Sequence, residues 1–124
     1  MVSLSEFERL GTRSGRCCIR SYPQGKRTAH LLTMPKAVGE EVRGRLGDYV
    51  DVYVSASGGR YRVLLASGTS RTLSRIGKAY SVCSARFGKA VPEGRDRVLC
   101  AFSWEKDEAG SDCALFEARP EWEE

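Results

Sequence analysis

The sequence predicts a mainly β fold with one short helix, and three observations carry that expectation. In Tyr49-Val50-Asp51-Val52-Tyr53-Val54 the valines fall on alternate positions, which puts all three on one face of a strand. Gly58-Gly59 then offers the positive φ of a tight hairpin turn, and Tyr61, Val63 and Leu65 return on one side of a second strand. Helical spacing is found after Pro35, where Val38 and Val42 sit four apart and share a face.

The remaining elements follow in chain order. Residues 1–15 read as irregular, with a short helical turn over Glu6 to Leu10 stopped by Gly11. RCCIRSY (16–22) and TAHLLTM (28–34) read as strands. Pro23-Gln24-Gly25-Lys26 between them is turn chemistry, so residues 16–34 form a hairpin. The position before Pro35 is pushed towards extended backbone, while the proline suits a first helical turn. Lys36, Glu40, Glu41 and Arg43 would face solvent. Gly39 weakens the helix and Gly44 is a natural stop, which predicts about two turns. Beyond Gly68, residues 69–77 read as a polar connector. Strands are expected over 79–87, 97–104 and 113–118, the last two joined through the polar stretch 105–111. The acidic tail 120–124 should be loose.

This pattern divides the chain into a basic hairpin, helix and hairpin module (1–68) and a β-rich C-terminal extension packed on it (69–124). Lys36-Ala37-Val38 recurs as Lys89-Ala90-Val91, each followed by a hairpin, at 49–66 and 97–118. Chance similarity is one explanation; the other is two related halves sharing one pseudo-symmetric barrel.

Composition narrows the function classes. With 124 residues, 41% apolar and 29% charged, the chain suits one domain or two small halves with a common core. No apolar run approaches the ~20 residues that span a bilayer, and Met1 to Leu10 resembles neither a secretory nor a transit segment. A cytoplasmic location without membrane attachment is the expectation. The five cysteines (17, 18, 83, 100, 113) include an adjacent pair but no C-x-x-C and no Cys/His zinc spacing. Reduced thiols acting as small hydrophobes are expected, with a redox role for the exposed member of Cys17/Cys18 as the alternative. Residues 1–78 carry fourteen Lys/Arg against six Asp/Glu, a balance of +8, whereas residues 79–124 carry six against ten, a balance of −4. One end should therefore attract a polyanion.

Catalytic chemistry is not expected. His30 is the sole histidine, set in a strand opposite in phase to Leu31, and reads as a strand residue with a satisfied hydrogen bond. Glu40 and Glu41 diverge by about 100° on a helix, which disfavours an acid/base pair. Neither G-x-G-x-x-G nor a Walker A string occurs. No catalytic residue, metal ligand or cofactor is predicted. Trp104 reads as core, Trp122 as a tail anchor, and Tyr22 as the one ring well placed to stack on a base.

The string 34–54, MPKAVGEEVRGRLGDYVDVYV, resembles the AbrB/MazE-type swapped-hairpin (looped-hinge helix) DNA-binding family over roughly residues 26–66. Met34-Pro35 fits the helix entry, Val38 and Val42 the buried helix positions, Gly47-Asp48 the turn before the strand, and Val50 and Val52 the strand itself. Arg43-Gly44 stands where Leu-Gly is usual, Leu46 where proline or a polar residue is commoner, and residues 67–124 have no counterpart in a minimal family domain. The resemblance implies an AbrB-like β-barrel closed by hairpins exchanged between two subunits or between two halves of one chain. It also implies a transcription regulator or DNA-binding antitoxin that uses Arg and Lys of the first hairpin.

The residues read on their own agree. Arg13, Arg16, Arg20, Lys26 and Arg27 cluster along the first hairpin, with Lys36, Arg43 and Arg45 nearby in sequence. Together they would present a broad cationic face to duplex DNA, with binding that weakens steeply as salt rises. The expectation is thus a homodimeric, double-stranded DNA-binding protein. A small protein-interaction module or inhibitor from a mobile element, with a protein partner at the C-terminal part, is the alternative.

Overall fold

A computed structural model describes residues 16–122. Nine strands form one antiparallel sheet: β1 (Cys17–Gln24), β2 (Arg27–Pro35), β3 (Tyr49–Ser55), β4 (Arg62–Ser67), β5 (Arg71–Thr72), β6 (Ser74–Ile76), β7 (Ala79–Cys83), β8 (Arg97–Lys106) and β9 (Asp112–Ala118). One helix, α1 (Lys36–Leu46), joins β2 to β3, and a 3-10 segment at Ala85–Ala90 joins β7 to β8. The order across the sheet is β5-β3-β4-β9-β8-β1-β2-β7-β6. The two outermost strands, β5 and β6, are separated in the chain by Leu73 alone. One bent segment therefore pairs with β3 by its first part and with β7 by its second, so the sheet curls into a nearly closed barrel.

Strand alternation decides the interior. Ile19, Leu32, Met34, Val50, Val63, Leu65, Val82, Val98 and Phe116 are all buried in one core. α1 closes one end of the barrel with Val42 and Leu46. Phe87 and Ala90 of the 3-10 segment close the other.

Several expectations are corrected. α1 runs three turns, not two: Gly44 lies within it, and it ends at Gly47, whose N–H donates to the Arg43 carbonyl at 2.8 Å. Gly39 is there for contact rather than as a breaker, because any Cβ at that position would run into the ring of Tyr80. The stretch 69–77 is not a mere connector, since it supplies the two strands that close the barrel. The strand from Ala79 stops at Cys83. Ser84 then caps the 3-10 turn, its Oγ accepting the Arg86 N–H at 3.3 Å. Residues on either side of position 68 share one sheet, in which β8 and β9 stand between β4 and β1.

The pairings obey a twofold rule. Replace β1, β2, β3 and β4 by β5/β6, β7, β8 and β9, and every neighbour relation maps onto another. The β1–β2 pair becomes β6–β7, β3–β4 becomes β8–β9, and β1–β8 becomes β5–β3, while β2–β7 and β4–β9 map onto themselves. Registers follow. Val50–Ser67 and Ser55–Arg62 correspond to Cys100–Ala118 and Glu105–Cys113, and Cys17–Cys100 corresponds to Arg71–Val50. The connecting turns obey it too: Gly39 of α1 packs on Tyr80 of β7, and Gly88 of the 3-10 segment packs on the ring of His30 in β2.

Candidate nucleic-acid interface

The two ends of the barrel differ in charge. At the α1 end the cations of the helix and of β8 are partnered: Lys36 with Glu40 (3.9 Å), Arg43 with Asp48 (2.6 Å), Lys106 with Asp112 (2.5 Å), and Arg45 with Glu41 (3.5 Å) and Asp112 (3.9 Å). Arg75 lies beside them over the Tyr80 ring. The Arg45 guanidinium also lies 4.4 Å over the Trp104 ring, whose Nε1–H donates to Glu41 at 2.6 Å. Trp104 thus clips α1 to β8. The Asp48 hydrogen bond pushes the Arg43 pKa up, and Lys106 holds the Asp112 carboxyl below its ordinary value.

The opposite end carries the first hairpin. β1 pairs with β8 only as far as Arg20, and β2 pairs with β7 only from Leu31. Tyr22 to Ala29 therefore pair with one another alone and extend past the barrel rim as a two-stranded ribbon. Its tip is a two-residue turn, Gly25-Lys26, in which Gly25 has φ +62°, a conformation other residues enter at a cost. Lys26 and Arg27 stand at the tip, exposed and without an ion pair among the described residues. At the ribbon base Arg20 lies directly across from Arg97 of β8. Between the strands, the Ser21 hydroxyl and His30 Nδ1 are 2.6 Å apart, with Gly88 against the imidazole. That contact ties the ribbon base to the 3-10 turn, the satisfied strand role expected of His30.

The eight basic residues singled out by sequence do not form one face. Arg20, Lys26 and Arg27 share the ribbon, whereas Arg16 precedes β1 at the end of that strand away from the tip, with its guanidinium 5.5 Å over Trp122. Lys36, Arg43 and Arg45 lie at the far end, roughly 26 Å along β2 from Arg27 at about 3.3 Å per residue, and are engaged in the ion pairs above. They stand apart from the ribbon. Arg13 lies outside the described residues.

In their place the fold brings up cations that sequence distance concealed. Arg86 and Lys89 of the 3-10 segment, and Arg95 and Arg97 before and in β8, come from the acidic part of the chain yet sit at the ribbon end. Arg60 in the β3–β4 turn joins them, since the Tyr61 hydroxyl next to it donates to the Arg86 carbonyl at 2.7 Å. The signal available in the sequence was that Arg60, Arg86, Lys89 and Arg95 lie between strands, in connections that the barrel gathers at one end.

The cysteines resemble the bland expectation. None forms a disulfide; Cys17, Cys18, Cys100 and Cys113 are buried and Cys83 is exposed. Neither member of the Cys17/Cys18 pair is exposed, which removes the redox alternative. Burial, then the neighbouring thiols, pushes Cys17 and Cys100 up to about 12, leaving them protonated and unreactive near neutrality. No group of His, Cys, Asp or Glu is arranged to hold a metal among the described residues. None of their helices is long and apolar enough to cross a membrane.

Comparison of the chain with family models, with curated proteins and with solved structures finds no match.

Proposed function

We propose that the chain is a DNA-binding protein, a transcription regulator or antitoxin-like factor, that holds duplex phosphates with its projecting basic ribbon. The observation that carries this reading is the unpaired charge at one end of the barrel. Lys26 and Arg27 at the ribbon tip, with Arg86 and Lys89 behind them, have no acidic partner among the described residues, while Lys36, Arg43, Arg45 and Lys106 at the α1 end do. A two-stranded ribbon has the cross-section to enter a major groove, and free guanidinium and ammonium groups on it displace counterions from phosphates.

The AbrB/MazE-type resemblance joins this reading through topology. Its hairpin exchange would here take place between the two halves of one chain. The alternation of hairpins around the wall and the reciprocal Gly39–Tyr80 and Gly88–His30 contacts favour that form. Since one chain supplies all nine strands of the nearly closed barrel, this reading needs no second subunit.

The test is binding of fluorescent duplex DNA over a series of salt concentrations. The expected result is affinity falling linearly on logarithmic axes. Lys26→Ala with Arg27→Ala should weaken binding and lower the slope by roughly 2, at about 0.9 per phosphate contact. No binding at low salt, or a double variant indistinguishable from wild type, ends the reading. The acidic C-terminal part of the chain is the surface that the alternative, a protein-interaction module, would use, and a module of that kind leaves DNA unbound.

A further inference from the structure

Beside the ribbon the barrel wall is incomplete, and the gap forms a groove. β5 covers the edge of β3 only at Tyr49 and Val50, so from Asp51 to Ser55 that edge pairs with no strand. Two depressions meet there and share Ser70 and Arg71. One, of about 450 Å³, lies against Tyr22 and Leu31 of the first hairpin and Cys83 of β7. The other, of about 550 Å³, follows β3 past Tyr53 to Arg86. Each lies within the ~300–1,000 Å³ range of small-ligand sites.

The chemistry of the lining is specific. Arg71 divides the two lobes and Arg86 stands at the far end of the second. The one carboxylate present, Asp51, is turned inward onto the loop: its Oδ1 accepts the Ser70 hydroxyl at 2.6 Å and the backbone N–H groups of Thr69 and Ser70 at 3.2 Å each. Tyr22 is 37% exposed and Tyr53 56% exposed, one in each lobe, although burying such rings is favourable. Two open rings on either side of a free arginine match a chain of alternating flat faces and negative charges. A duplex hides its base faces; an unpaired strand offers them.

We infer that this groove binds unpaired nucleotides, with bases stacked on Tyr22 and Tyr53 and phosphates at Arg71 and Arg86. The inference rests on the nucleic-acid reading above and deepens it: the preferred target is DNA with a single-stranded segment next to duplex.

Three labelled probes test it: a blunt duplex, the same duplex with an oligo-dT tail, and the oligo-dT strand alone. The tail should tighten binding. Tyr53→Ala should cost the tailed probe roughly 5- to 150-fold, the range for one stacked base, while Tyr53→Phe restores binding and the blunt duplex is unaffected. Cys83 lines the first lobe and is the exposed thiol among five, so the tailed probe should slow its alkylation and the blunt duplex should not. Equal affinity for tailed and blunt probes, an unchanged Tyr53→Ala variant, or unprotected Cys83 overturns the groove and leaves the ribbon reading standing. Loss of all binding in the Lys26→Ala, Arg27→Ala variant with no tail effect supports the ribbon alone. No binding of any probe removes both.

Discussion

The two halves of the barrel, residues 16–67 and 71–118, use one set of pairings for different ends. Each contributes an outer hairpin, a connecting helical turn and a second hairpin. In the first half the outer hairpin is long: taking Arg20–Leu31 to match Ser74–Ser81, it runs two residue pairs further, through Pro23–Thr28 and Gln24–Arg27. Its connecting helix has eleven residues. In the second half the outer hairpin turns at once through Gly77-Lys78, with Gly77 at φ +61°, and six residues of 3-10 turn replace the helix. The shared part is what a closed barrel requires. The parts that differ, ribbon and connection, lie outside the wall, where length is free to vary without breaking a ladder. Function is therefore sought in what the first half has in excess.

If the halves are equivalent as packing units, matched substitutions should hurt both, in proportion to the side chains involved. Phe116 and Leu65 occupy corresponding inward positions and both are fully buried. Phe116→Ala should cost about 3–5 kcal/mol and Leu65→Ala about 2–5 kcal/mol, measured by urea denaturation. A large loss at one site with almost none at the other would break the equivalence. Smaller effects are expected at the reciprocal glycines. Gly39→Ala forces a methyl into the ring of nearly fully buried Tyr80 and should cost about 1–3 kcal/mol. Gly88→Ala meets the half-buried imidazole of His30, which has room to shift, so thermal denaturation should place it nearer wild type.

The smallest effect sharpens a difference instead. The exit from β4 is pinned by Asp51, whereas the exit from β9 is held by Arg119, which pairs with Glu117 at 2.8 Å and lies 5.6 Å over Trp122. The Ser70 hydroxyl and the Thr69 and Ser70 amides hold the Asp51 carboxyl below its ordinary 3.8. A depressed folded value means that this contact contributes above the unfolded pKa and is lost as pH falls through the folded one. Wild type should thus lose order in residues 68–70 below about pH 4. Asp51→Asn should have that loop already loosened at neutral pH, with no further acid transition there. Amide exchange at Thr69 and Ser70 reads both, and an acid transition persisting in the variant would assign the contact elsewhere.

The hairpins and their inward faces were legible because strand alternation survives in a single sequence: Val50, Val63 and Leu65 are buried as the pattern required. Helix length was not. Gly39 and Gly44 look like breakers by propensity, and only the nearness of Tyr80 explains why one of them belongs mid-helix. The closing strands β5 and β6 escaped because Leu73 is the one apolar residue from 69 to 75, too few for a period to appear. The basic cluster was half legible. The ribbon cations are close in sequence, whereas Arg60, Arg86 and Lys89 reach the same end through long-range pairing that no local pattern encodes. Counting charge along the chain placed the helix cations in the same cluster, but the fold sends them to the opposite pole.

The passage from the first half to the second runs through the strand that seals the wall. Linker and seam are one piece of chain, so the halves cannot drift apart as beads on a string. Cut at Gly68, they would still be threaded through each other like clasped fingers, both hairpins of the first half flanked on each side by strands of the second. The covalent join then matters less for holding the barrel together than for ensuring that the right two halves meet.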